Sequence, residues 1–109
     1  MDVINTEFKR CVVVKTSGRV DGSTAPDLRK ALEALTEEGK LNIVFDMSEV
    51  NFMASAGWWV LIDTQKKVKP RGELVLANIE KGIRESLNLV GMGSYFTIYE
   101  DVVSAVGSF

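Results

Sequence analysis

The chain has 109 residues and not one histidine. That absence removes the commonest general base and the commonest metal ligand. Zinc sites of the Cys/His kind go with it, as do Ser-His-Asp and Cys-His catalytic pairs. Cysteine occurs once, at Cys11. A single thiol cannot close an internal disulfide, which is compatible with a reducing compartment. Its setting in the apolar run Cys11-Val12-Val13-Val14 predicts a buried core thiol rather than a reactive one. Blocks of like charge are also missing. Thirteen basic and fifteen acidic residues give a formal charge of −2 and are dispersed along the chain. Neither a nucleic-acid footprint nor a polybasic membrane patch is expected. Met1-Asp2-Val3 lacks the basic start and apolar segment of a signal peptide, and no apolar run reaches spanning length. These absences predict a soluble, cytoplasmic protein with no membrane span and no nucleic-acid partner.

Enough apolar residues remain to build a core: 46% are hydrophobic and 26% charged. That composition fits one small domain spanning residues 1–109. Val3 to Lys9 and Cys11 to Ser17 read as two strands, joined by a turn at Lys9-Arg10. The second is continuously apolar at its centre, as a strand covered on both faces would be. Gly18-Arg19-Val20-Asp21-Gly22 closes it. Ser23-Thr24-Ala25-Pro26-Asp27 marks a helix start, with a hydroxyl cap, a proline in the first turn and an acid near the dipole. Leu28, Ala31, Leu32 and Leu35 make one apolar stripe, and Gly39 ends that helix.

The stretch from Leu41 to Trp59 organises the rest. Leu41 to Asp46 reads as a buried strand, and Met47-Ser48-Glu49-Val50-Asn51 as a polar crossover. A helix then runs from about Ser55 to Val68, with Trp58, Leu61, Ile62 and Val68 on one side. Lys69-Pro70-Arg71-Gly72 is a turn. Glu73 to Ala77 is another strand. Asn78 is placed to cap a third helix carrying Ile83, Leu87 and Val90 on one face. Gly91 and Gly93 break that helix. Tyr95 to Tyr99 reads as an edge strand, and Asp101 to Val106 as a short final helix or frayed tail. Strands alternating with helices after an opening hairpin predict an α/β sheet with right-handed parallel crossovers.

Ser55 is the first candidate functional residue. Serine is a favoured helix cap, which would explain it structurally. Its small neighbours Ala54, Ala56 and Gly57 equally let another protein's active site approach the backbone, as a phosphoacceptor requires. Trp59 follows one helical turn after Ser55 and is expected beside it. It is either a half-buried cover for the sheet edge or an exposed anchor for a partner. Asp21, Asp46 and Asp63 are poorly spaced for a Mg²⁺ cluster, and Asp46 reads as a turn acid. Gly91-Met92-Gly93 lacks the strand and helix of a phosphate loop. No cofactor is implied, and a small α/β enzyme is disfavoured.

Phe52-Met53-Ala54-Ser55-Ala56-Gly57, after Ile43-Val44-Phe45-Asp46, resembles the signature of STAS domains. More narrowly it is similar to the bacterial anti-sigma factor antagonists. Gly18-Arg19-Val20-Asp21, Gly72-Glu73-Leu74 and the Ile83-to-Val90 segment extend the resemblance over almost the whole chain. It implies the STAS fold, a small mixed four- to five-stranded sheet with helices packed mainly on one side. It also implies a non-enzymatic role in partner switching. The unphosphorylated antagonist would bind an anti-sigma factor, a serine kinase of the histidine-kinase-like ATPase type. That kinase would switch it off by phosphorylating Ser55. Asp21, Ala54, Ala56, Gly57 and Trp59 would form the partner-binding surface. The family's acid before the serine is Ala54 here, and its Leu-Gly after the motif glycine is Trp58-Trp59. A STAS scaffold or transport-accessory subunit that is not phosphorylated is therefore the alternative. The near-neutral charge and paired tryptophans are compatible with a weak homodimer.

Overall fold

The computed structural model describes all residues from Met1 to Phe109. The valine-rich second strand lies inside the sheet, as its continuous apolar centre requires. Five strands, β1 (Val3–Glu7), β2 (Val12–Val20), β3 (Asn42–Met53), β4 (Glu73–Ala77) and β5 (Ile98–Tyr99), lie in the order β1-β2-β3-β4-β5. β1 is antiparallel to β2, and every other neighbouring pair is parallel. The sheet is therefore mixed because of its first strand.

The helices are α1 (Ala25–Glu37), α2 (Ser55–Val68), α3 (Lys81–Leu89) and α4 (Val102–Gly107). The first three cover one face. Leu28, Leu32 and Leu35 of α1, with Trp58, Leu61 and Ile62 of α2, pack on Val12, Val14, Ile43 and Phe45. The short α4 covers the opposite face, where Ala105 joins Cys11, Val13, Val44 and Val75. Burial pushes the Cys11 thiol pKa up, which makes it a poor nucleophile. Gly39 adopts φ +80° where α1 stops, a conformation that suits glycine. No helix is long and apolar enough to cross a membrane.

Several local expectations change. Met47 to Asn51 is not a crossover. It continues β3, whose Glu49–Met53 stretch pairs with Ser17–Val20 of β2. Two register shifts lie there, between Lys15 and Ser17 and between Gly18 and Arg19, each leaving one extra residue on β3. These bulges give Met47–Met53 the burial pattern buried-exposed-exposed-buried-exposed-exposed-buried, which hides the two-residue period of a strand. β2 likewise runs on to Val20 instead of closing at Gly18. Thr24 occupies the position before α1, but its hydroxyl does not cap that helix. It donates to the Arg19 carbonyl at 2.9 Å instead.

Asn78 does not cap α3. It sits at φ 58° and donates its side-chain amide to Asp46 at 3.2 Å, while the Glu80 carboxylate accepts from the Ile83 N–H at 3.2 Å. Val90 is 46% exposed and lies off the buried face that Ile83 and Leu87 share. The Tyr95-to-Tyr99 segment is mostly not strand: Gly93–Tyr95 form a 3₁₀ turn and only Ile98–Tyr99 pair with β4. Gln65, a buried amide, ties these parts together. It donates to the carbonyls of Leu74 and Tyr95 at 2.9 and 2.8 Å and accepts from the Leu74 N–H at 2.8 Å.

Candidate functional site

The bulged end of the β2–β3 ladder delivers the chain into α2. Val20 pairs with Met53, and the next residue, Ala54, donates its N–H to the Val20 carbonyl at 2.8 Å. Asp21 and Ser55, each one residue further on, therefore leave the same end of the sheet together. Bulges beside functional sites commonly re-aim a side chain in this way.

Ser55 is exposed and is the first residue of α2. The cap position belongs to Ala54, which is extended (φ −84°, ψ 166°) and whose carbonyl accepts from the N–H groups of Gly57 and Trp58 at 2.9 and 3.3 Å. The helix-cap reading of Ser55 is thus wrong. A residue inside the first turn has helical backbone angles, and no side chain caps α2. The Ser55 hydroxyl is free at the positive end of a 14-residue helix whose first turn holds no acid.

Gly57 is buried and belongs beneath the corner. A Cβ there would lie 2.7 Å from Val20 Cγ1 and 2.8 Å from Met53 Sδ. Its place in a docking surface is corrected accordingly: it lets α2 lie close on β2 and β3. The two tryptophans divide. Trp58 is fully buried, with an indole N–H that finds no partner, whereas Trp59 is 50% exposed. Trp59 and Ala56 line a groove of about 440 Å³ between α2 and α1, opposite Gly22, Pro26 and Arg29. Arg29 bonds Asp63 at 3.0 Å and Lys67 bonds Glu33 at 3.4 Å, so ion pairs join the two helices along it.

Asp21 is organised as a loop acid. Its carboxylate accepts from the Ser23 hydroxyl at 2.7 Å and the Ser23 N–H at 2.9 Å, and Arg19 lies 3.6 Å away. The Ser23 hydroxyl, then the Ser23 backbone N–H, hold its pKa below the usual carboxylate range. Asp46 instead accepts from Ser48 and Asn78, and Asp63 is held by Arg29, so the three aspartates do not converge. One feature escaped the sequence. Arg19 stacks over the half-exposed Phe52 ring at 4.0 Å from its centroid, which places a cation and an aromatic at the bulged strand ends. The Arg19↔Phe52 register that joins them depends on the bulge.

Comparison with known proteins extends this geometry. The family model of the STAS domain matches residues 3–105. An anti-sigma-B factor antagonist of Bacillus subtilis is 30% identical over 93 residues, covering 82% of this chain and 84% of that one. The crystal structure of an anti-sigma factor antagonist from Mycobacterium paratuberculosis superposes with TM-score 0.90 at 25% identity, over 98% of this chain and 92% of the other. The Bacillus cell fate determinant SpoIIAA in its phosphorylated form shares the fold, with TM-score 0.74 at 17% identity over 98% of both chains.

Proposed function

The chain belongs to the STAS domain family, and we propose that it is an anti-sigma factor antagonist switched at Ser55. It is a regulatory binding protein, not an enzyme. Its unmodified corner docks on an anti-sigma factor that is also a serine kinase of the histidine-kinase-like ATPase type. ATP and its metal belong to that kinase, and this chain supplies only the hydroxyl.

One observation carries the reading. Ser55 is exposed, engaged in no cap, and flanked by residues too small to obstruct a kinase cleft. Phosphorylation adds roughly −1.5 to −2 charges at that point. The start of α2 tolerates an anion, so the modified chain remains folded. A partner seated on Ala54, Ala56 and Trp59 would instead have to desolvate the phosphate, and its binding is lost. Asp21 and its Ser23 loop border the same corner as a polar contact.

The reading in which the same corner docks without modification draws on Ala54, which leaves no acid beside the serine. Intact-mass analysis separates the two. Wild type and Ser55→Ala are incubated with ATP and the co-encoded kinase. A single phosphate on wild type and none on the variant is the expected result. Stable binding to that kinase with no added mass would replace the switch by the unmodified scaffold.

A further inference from the structure

β1 is an edge strand without the usual protection. Its register with β2 is unbroken from Val3 to Glu7, and the stretch Val3 to Phe8 contains no proline, lysine or bulge. No helix covers it: every residue from Ile4 to Arg10 is exposed, Ile4 at 62%. The other edge, β5, is only two residues long, which blunts it.

The free backbone groups can be assigned. The Phe8 N–H donates to the Cys11 carbonyl at 2.8 Å across the hairpin. In an antiparallel ladder such pairs alternate, so Thr6 and Ile4 also turn inward. Val3, Asn5 and Glu7 therefore point their N–H and C=O groups outward, away from β2. The side chains sort in the same way. Thr6 lies opposite Val13, which belongs to the cluster beneath α4, so Ile4, Thr6 and Phe8 share the α4 face. α4 packs over β3, β4 and β5 and leaves Ile4 and Phe8 bare. Phe8 borders a notch of about 340 Å³ with Val106 and Phe109.

This edge is complementary to itself. Laid antiparallel on a second copy about a two-fold axis at Thr6, Asn5 of each chain meets Glu7 of the other, and these outward residues exchange main-chain bonds. The same register sets Ile4 opposite Phe8, an aliphatic–aromatic pair that occurs twice. Further out it sets Asp2 opposite Arg10. Neither side chain is in an ion pair within its own chain, and Arg10 only donates to the Phe109 carbonyl at 3.4 Å, on the α4 side. Shifting the register by two residues either way opposes Asp2 to Phe8 or Ile4 to Arg10, and loses both pairs. We propose that β1 is the seat of a homodimer in which two copies join their sheets edge to edge. The interface is small, so association is weak and concentration-dependent. The two copies run oppositely, so their Ser55 corners lie at opposite ends of the joined sheet and both stay free. The dimer thus stands or falls independently of the switch proposed at Ser55.

Sedimentation equilibrium of the whole chain, from low micromolar to near-millimolar concentration, tests this. A mass rising from monomer toward dimer is expected for wild type. Asn5→Pro removes an outward N–H that no β2 carbonyl accepts, and should abolish association while melting as wild type does. Ile4→Asp should weaken it roughly tenfold or more. Asp2→Lys and Arg10→Glu should each weaken it roughly threefold to tenfold, and combining them in one chain should restore it, because opposite charges then meet again with signs exchanged. Melting curves report the folding of each variant separately. A wild type that stays monomeric throughout overturns the proposal. A dimer that survives Asn5→Pro and Ile4→Asp but is lost in Trp59→Ala belongs to the Ser55 corner and overturns it equally.

Discussion

Replacing Gly57 by alanine asks whether the corner depends on close approach. The added Cβ would lie 2.7 Å from Val20 Cγ1, 2.8 Å from Met53 Sδ and 2.9 Å from Met53 Cε. Ordinary carbon contacts lie about 3.5–4.0 Å apart, so roughly 1 Å must be found. Val20 is β-branched and fully buried in a strand, and it cannot turn aside cheaply. Met53 is flexible but only 5% exposed, so its thioether has little space to enter. Overpacking of this kind costs about 1–3 kcal/mol. Against it stands the helix propensity of alanine over glycine, up to about 1 kcal/mol in a helix interior and less in the first turn. The sum is a loss of about 1–2 kcal/mol, or a melting temperature lower by about 5–10 °C. Thermal unfolding followed by circular dichroism reads this directly.

The control is a double-mutant cycle with Met53→Ala. That change alone opens a cavity and destabilises, but it removes two of the three crowding contacts. The pair should therefore cost about 1 kcal/mol less than the two single changes added together. A Gly57→Ala protein as stable as wild type, or strict additivity in the cycle, would refute the argument that glycine is required to seat α2 on the sheet.

Four further outcomes follow from the same corner. Trp59→Ala should leave the melting curve nearly unchanged yet weaken partner binding by about 2 kcal/mol, near thirtyfold in Kd by calorimetry. Trp58→Phe should stay within about 1 kcal/mol of wild type, because the lost ring volume is offset by removing a buried N–H that has no partner; Trp58→Ala, by contrast, should cost about 3–5 kcal/mol in denaturant titration. The folded-state pKa of Asp21 is depressed, so its stabilising effect is present above the unfolded carboxylate pKa and is lost as pH falls through the folded one; NMR titration should place its midpoint below the ordinary range, and Ser23→Ala should raise it. Ser55→Ala should change stability by less than about 0.5 kcal/mol, since no capping bond is removed; a loss near 1 kcal/mol would restore the cap.

The parts of the fold that were legible in the sequence are those where period and burial agree. Glu73–Ala77 is a strand with its predicted bounds, and Ser55–Val68 is a helix with its predicted apolar side. The parts that were not legible depend on partners distant along the chain. Two bulges turn the second half of β3 into a three-residue pattern, which reads as neither strand nor helix until β2 is laid beside it. Asn78 has the composition of a cap, but the Asp46 carboxylate, 32 residues away, takes its amide. At the corner, local pattern located Ser55 and Trp59. Only packing could assign Gly57 to the interior and Trp58 to the core, or pair Arg19 with Phe52.

The placement of Ser55 decides what kind of switch this corner can be. A phosphate on a capping serine would sacrifice a bond worth about 1 kcal/mol and disturb the helix it starts. Ser55 lies one residue beyond the cap and holds no such bond, so a phosphate there would meet the positive end of α2 and displace nothing. Beneath it, Gly57, Val20 and Met53 are packed closely and leave the first turn of α2 no space to move inward. Under the proposed function the change would stay at the surface: two forms of one fold would differ in charge beside an exposed tryptophan. Discrimination between them would rest with a partner seated on Trp59 and Ala56, which would have to bury whatever the neighbouring Ser55 carries.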